Sequence, residues 1–173
     1  INKDHEKVKN LYQSGMNSKR LNHEGFLPLI GYLNLLNKMN TLNDISKVIG
    51  TMLLSQLSTP FYLSVHADAK NSDLNILYLY QGGLGLPDRD FYFLPNKEND
   101  RQEYINFLSN LFNLVKLDSN TQKIYNIEES LANISLTKTQ RREPELVYNV
   151  FNLEELEEKY SNIKWSIIFS ELN

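Results

Sequence analysis

Tyr80-Gln81-Gly82-Gly83-Leu84-Gly85-Leu86-Pro87-Asp88-Arg89-Asp90-Phe91-Tyr92 is the stretch at which strand-like apolar sequence stops and helical sequence begins. Three glycines and a proline fall within six residues. That density demands a tight turn, with positive φ open to the glycines and φ fixed at Pro87. Residues 80–92 are therefore a junction, and the sequence on each side of it sets the fold.

Immediately upstream, Ile76-Leu77-Tyr78-Leu79-Tyr80 is apolar on both faces and bounded by turn residues, which predicts a strand buried on both sides. Asp68 to Asp73 supplies a loop. Before it Phe61, Leu63, Val65 and Ala67 alternate with Tyr62, Ser64 and His66, the period of a strand with one drier face. Together these predict a β-hairpin over 61–81 with a six-residue loop.

Helical periodicity takes over further out. Pro60 ends a helix over 42–58, opened by Thr41 with Asp44 three residues on and carrying Leu42, Ile45, Val48, Ile49, Met52 and Leu53. Pro28 suits the first turn of a helix over 28–37, and Val8, Leu11 and Tyr12 share a face of one over 3–16. Downstream of the junction, Tyr104, Phe107, Leu108, Leu111, Leu114 and Val115 predict a helix over 100–117. Ile124, Ile127, Leu131 and Ile134 predict another over 122–136, followed by a loop from Thr137 to Pro144. Asn152 with Glu155 caps a helix over 153–160, and Trp165, Ile168, Phe169 and Leu172 mark a last one over 165–172. The fold class is mainly α (α+β): one domain over 1–173, helical and interrupted by a hairpin.

Composition narrows the function. With 41% hydrophobic and 23% charged residues the chain has the mix of a globular protein. Eighteen basic residues against 21 acidic ones leave a formal charge of -3, no footprint for nucleic acid. There is no cysteine, hence no disulfide, thiol nucleophile or Cys-ligated metal in these residues. No apolar run approaches the roughly 18 residues that cross a bilayer, so no membrane contact is expected of this segment. A chain opening on Ile1 with no signal-peptide pattern reads as a fragment.

The residues themselves offer little chemistry. Gly83-x-Gly85 is followed by Asp88 where a dinucleotide fingerprint needs glycine, Pro87 interrupts the N–H array, and no Lys-Ser/Thr follows as in a P-loop. Asp88 and Asp90 would share a face if extended, as paired acid–base carboxylates, whereas a turn would let Asp88 cap the backbone that follows. His5-Glu6 and His23-Glu24 begin like the zinc helix H-E-x-x-H, but Lys9 and Leu27 stand where the second histidine is required. His66 has no sequence-near partner, and no Gly-x-Ser-x-Gly elbow occurs. Asn133-Ile134-Ser135 is a glycosylation tripeptide, and Arg141-Arg142-Glu143 reads as a solvated loop with a local ion pair. No catalytic, cofactor-binding or metal-ligating residue is assigned.

Residues 81–92, with Gly83-Leu84-Gly85-Leu86-Pro87-Asp88-Arg89-Asp90-Phe91-Tyr92 at their centre, resemble the Gly-Leu-Gly-Leu-Pro-x-Arg-Asp-Tyr-Tyr signature of the neprilysin family, which includes the endothelin-converting enzymes and bacterial PepO oligopeptidases. Collinear with it are Leu11-Tyr12-x-Ser14-x-Met16-Asn17, Asp68-x-Lys70-Asn71-Ser72, Glu129 with Leu131-Ala132, Arg142-x-Pro144 with Tyr148-Asn149, Leu153-x-x-Leu156, and Trp165. The resemblance covers nearly the whole chain but only the family's N-terminal region. Members are zinc metalloendopeptidases that cleave peptides in a closed chamber, where a helical lobe restricts access to a thermolysin-like catalytic domain. The family's zinc ligands and its substrate-binding Asn-Ala motif belong to its later part. Zinc is thus expected in the full-length parent and none in this chain. Animal members carry cysteine where Gly15 stands, so their disulfide cannot form here, and a cysteine-poor microbial member or a lineage without the bridge fits better. Both membrane-anchored ectodomains and soluble enzymes occur in the family, which leaves the compartment open.

The resemblance implies a part of a peptidase that is inactive alone. It would shape the chamber and pack on the catalytic domain of the same polypeptide, with peptides as the parent's substrates. The hairpin over 61–81 is the expected contact, and the chain alone should expose an apolar patch at Ile76 to Tyr80. The alternatives are a stand-alone scaffold module derived from the family, and an unrelated enzyme using Asp88 and Asp90.

Overall fold

The structure, a computed structural model, describes residues 3–172. Its helices are α1 (Lys3–Gly15), α2 (Ser18–Glu24), α3 (Ile30–Asn37), α4 (Leu42–Leu54), α5 (Asp90–Phe93), α6 (Glu98–Leu114), α7 (Thr121–Ile134), α8 (Pro144–Val147), α9 (Leu153–Lys159) and α10 (Trp165–Ser170). Between α4 and α5 lie the two strands, β1 (Phe61–Ala67) and β2 (Asn75–Gln81). The mainly helical class with one hairpin is as the sequence predicts. The described residues form two compact units, one up to Met39 and one from Asn40.

In the first unit α1 is a single amphipathic helix whose apolar residues Val8, Leu11 and Tyr12 are all more than 60% exposed. Its sequel, α2, has no apolar periodicity, and the sequence reading passes over it. Its start is set by Asn17, whose side chain accepts from the Arg20 N–H, and an Arg20–Glu24 pair at 2.6 Å spans its length. Pro28 opens a short 3-10 turn, Leu27–Leu29, that delivers the chain into α3.

The second unit begins with α4, where Thr41 and Asp44 form the capping box that their spacing predicts. It ends at Leu54, short of the expected residue 58, because Gln56 takes φ 56° and the Leu57 N–H turns back to the Met52 carbonyl. Helix α6 stops the same way: Lys116 has φ 56° and the Leu117 N–H reaches the Phe112 carbonyl. Both are Schellman endings without the glycine that normally announces them.

β1 and β2 pair antiparallel with Phe61 opposite Gln81 and Ala67 opposite Asn75. One face carries Leu63, Val65, Leu77 and Leu79; the other carries Tyr62, His66, Tyr78 and Tyr80, with the Tyr78 and Tyr80 rings stacked at 5.9 Å. Burial of β2 on both sides does not hold: Leu77, Leu79 and Tyr80 are 43, 39 and 45% exposed. Among the described residues the ribbon has two strands, and helices cover its Phe61 end. The apolar patch expected of the chain taken alone lies at this strand.

Two apolar clusters organise this unit. Phe61, Leu156, Trp165 and Ile168 form one, joining the start of β1 to α9 and α10, with Ile49 and Leu53 of α4 packed against it. Leu86, Tyr92, Tyr125 and Ala132 form the other, joining the glycine-rich junction to α7. The Thr137 to Pro144 loop carries a 3-10 turn, and Pro144 then opens the short α8.

Candidate functional site: the glycine-rich junction

Between β2 and α5 the backbone follows a path that particular side chains forbid to anything but glycine. Gly83 has φ 78°, in the left-handed region, with a Pro60 atom and a Leu131 methyl each 3.0 Å from where a Cβ would stand. At Gly85 a Cβ would overlap the Tyr104 hydroxyl and lie 2.5 Å from its Cζ. The glycines therefore let the turn press against α6 and α7, and the Gly82, Gly85 and Leu86 N–H groups are taken by the Pro60 carbonyl, the Glu128 carboxylate and the Tyr92 hydroxyl.

What they press against is the Glu128 carboxylate on α7. Its Oε2 accepts from the Tyr92 hydroxyl at 2.7 Å and from the Gly85 N–H at 3.2 Å, and its Oε1 accepts from the Tyr104 hydroxyl at 2.8 Å. Tyr92 in turn accepts from the Leu86 N–H at 3.1 Å and is 2% exposed. Burial first, and the Glu128 carboxylate after it, push the Tyr92 and Tyr104 phenols far above their ordinary value, which keeps both as neutral donors. The cluster has the residue types of an acid–base site, yet every polar atom is committed inward to backbone or to its neighbours. It is a lock between junction, α6 and α7. The sequence reading missed Glu128; its signal was position, since Glu128, unlike its neighbour Glu129, stands three residues after Tyr125 and four before Ala132, the two buried residues of α7.

Asp88 and Asp90 follow the capping alternative. The Asp90 N–H donates to Asp88 Oδ1 at 2.8 Å, and Lys138 Nζ pairs with Asp88 Oδ2 at 2.6 Å. The Lys138 hydrogen bond is the largest of the effects that hold the Asp88 carboxyl below its ordinary value. Arg89 Nε donates to the Ala132 carbonyl at 3.2 Å, and Gln81 makes two hydrogen bonds to the Leu136 backbone, at 2.9 and 3.1 Å. These bonds fasten both ends of the junction to the C-terminal end of α7. A cavity of about 150 Å³ remains beside it, lined in part by Tyr62, Leu86, Asp88, Lys138 and Arg141.

A second tie joins pieces far apart in sequence. The Tyr148 hydroxyl meets both oxygens of Asp68 at 3.1 Å, while the Lys70 and Asn71 N–H groups donate to Asp68 Oδ1. The Lys70 ammonium sits 4.4 Å from the Tyr148 ring centroid. Asp68-x-Lys70-Asn71 and Tyr148, two separate pieces of the family resemblance, thus meet at the turn of the hairpin.

The three histidines lie on three different elements. His5 lies on α1, His23 near the end of α2 with Gly25 closing that helix before Leu27, and His66 on β1 with its ring 5.9 Å from that of Tyr78. Among the described residues no group of three or more His, Asp or Glu is gathered as a metal ion would need. Asn133 is exposed in the last turn of α7, and Ser135, the residue after its neighbour, hydrogen-bonds the Leu131 carbonyl.

Comparison with known proteins returns one family. Residues 2–173 match the N-terminal model of peptidase family M13. Endothelin-converting enzyme 1 of Cavia porcellus is 28% identical over 95% of this chain, and the human enzyme is likewise 28% identical over 95%. Membrane metallo-endopeptidase-like 1 of Mus musculus is 24% identical over 94%. The chain spans only 23–25% of the length of these relatives. Zinc metalloprotease Zmp1 of Mycobacterium tuberculosis in its open state has the same fold over 94% of this chain and 26% of its own, with a TM-score of 0.84 at 20% identity. The stretch Gly-Leu-Gly-Leu-Pro-Asp-Arg-Asp performs a structural task, and the chain belongs to peptidase family M13, matching that family's N-terminal region.

Proposed function

We propose that this chain is the non-catalytic N-terminal part of a zinc metalloendopeptidase that hydrolyses peptides, that it helps to wall the substrate chamber, and that it packs on the catalytic domain of the same polypeptide. The observation that carries this is coverage: a family match over residues 2–173 that spans about a quarter of relatives named as converting enzymes and endopeptidases. The placing of the histidines supports this division of labour. A catalytic zinc of the H-E-x-x-H type needs two histidines one helical turn apart with a glutamate between them, and neither His5 nor His23 has that partner. The exposed hairpin supports the docking role, since Leu77, Leu79 and Tyr80 present apolar surface that a folded parent would cover.

The coding sequence beyond Asn173 tests the reading. Continuation into a His-Glu-x-x-His helix, with chelator-sensitive peptide cleavage by the longer product, is the expected result. A stop codon would replace this reading with that of a stand-alone scaffold derived from the family.

A further inference from the structure

The parity of the hairpin ladder identifies which backbone groups of β2 face away from β1. Flanking hydrogen bonds run from the Asp68 N–H to the Leu74 carbonyl and from the Gly82 N–H to the Pro60 carbonyl. With the register of Phe61 opposite Gln81, these make the even-numbered residues the mutually hydrogen-bonded pairs. The N–H and C=O groups of Asn75, Leu77, Leu79 and Gln81 therefore point outward.

The two edges differ at the ends of β1, while in its middle the outward groups of Leu63 and Val65 have no hydrogen bond among the described residues. On β1 the Phe61 carbonyl accepts from the Thr59 hydroxyl and the Ala67 carbonyl from the Tyr78 hydroxyl at 3.1 Å, and Phe61 itself is buried. On β2, among the described residues, no hydrogen bond reaches the outward backbone groups of Leu77 or Leu79. Soluble proteins blunt such an edge with lysine, proline, a bulge or a very short strand. β2 runs seven residues, Asn-Ile-Leu-Tyr-Leu-Tyr-Gln, with no charge, no proline and an unbroken register. Next to this edge lies the apolar face of Leu63, Val65, Leu77 and Leu79.

We propose that the outer edge of β2 is completed by an extended segment of the same polypeptide outside these 173 residues, which adds as a third strand and brings its own domain over the Leu77 and Leu79 face. This rests on the reading of the chain as one part of a longer peptidase, whose relatives carry about three-quarters of their length elsewhere. A substrate peptide would leave the edge bare in every resting molecule, the condition that the missing edge protection makes hazardous. A second copy pairing edge to edge would leave the apolar face open. A segment of the parent covers both at once and permanently.

Residue-resolved amide hydrogen exchange on this chain and on the longer gene product tests the proposal. In the chain, Tyr78 should be protected while Leu77 and Leu79 exchange freely. In the longer product Leu77 and Leu79 should slow by about 100-fold or more, as interior strand amides do. Leu77→Pro removes an outward N–H and spares the ladder, so it should leave the melting temperature of the chain unchanged and lower that of the longer product. Tyr78→Pro, which breaks the ladder, should damage both. If Leu77 and Leu79 stay fast in the longer product while other surfaces of this region become protected, the strand-addition proposal fails and the docking reading stands. If no surface gains protection, both fail. Concentration-dependent slowing in the chain alone, with dimer formation, would assign the edge to a second copy and overturn the proposal.

Discussion

Substituting Gly85 by alanine tests the junction where it is tightest. The new Cβ would overlap the Tyr104 hydroxyl and stand 2.5 Å from Cζ, so the ring must leave its place. Leaving breaks the 2.8 Å hydrogen bond to Glu128, and a bond to a charged acceptor is worth about 1.5–3 kcal/mol. Repacking around a forced side chain adds about 1–3 kcal/mol. The expected loss is about 3–5 kcal/mol, which for a chain of this length lowers the melting temperature by roughly 10 °C. Urea unfolding followed by the fluorescence of the single tryptophan measures it, because Trp165 is 5% exposed in the other apolar cluster and reports unfolding of the whole unit. The decisive comparison is a double-mutant cycle with Tyr104→Phe. Removing the hydroxyl should be costly in the parent protein and nearly free in the Gly85→Ala background, with a coupling of about 1.5–3 kcal/mol. A Gly85→Ala protein within about 0.5 kcal/mol of the parent, or a Tyr104→Phe cost equal in both backgrounds, would refute the steric reasoning.

Other expectations follow from the same geometry. Because the Asp88 carboxyl is held below its ordinary 3.8, mainly by Lys138, its ionised form favours the folded state; the stability that Asp88→Asn removes should be fully present at neutral pH and vanish as pH falls below 3.8, seen in urea midpoints of both proteins from pH 7 to pH 3. Thr41→Ala and Asn152→Ala each break a capping box, and each should cost about 1 kcal/mol by the same unfolding assay. Tyr92→Phe should cost more than either cap, since it removes the donor to the Glu128 carboxylate and leaves the buried Leu86 N–H without its acceptor.

How far the sequence shows this architecture depends on where the deciding information lies. Helix starts are local: Thr41 with Asp44 and Asn152 with Glu155 are visible three residues apart, and both capping boxes form. Helix ends at Gln56 and Lys116 are not, because a left-handed residue other than glycine is held there by returning N–H groups and leaves no compositional mark. The hairpin period identifies both strands, but strand burial depends on what covers them, and among the described residues Leu77, Leu79 and Tyr80 of β2 stay exposed. Asp88 divided between two readings until the turn fixed its side chain on the Asp90 N–H. Glu128 was hidden because its partners, Gly85, Tyr92 and Tyr104, come from two other segments. The family signature was legible for a related reason: Gly83, Gly85, Arg89 and Tyr92 are each required by a separate contact in the lock.

The central claim, that these residues build a wall of a peptidase and hold none of its chemistry, is tested most directly by peptide hydrolysis. The purified 173-residue chain, given a quenched fluorescent peptide and saturating zinc, should release no fluorescence above buffer, with or without chelator. Zinc-dependent, chelator-sensitive turnover by this chain alone would contradict the account, and would mean that its histidines and carboxylates assemble a metal centre.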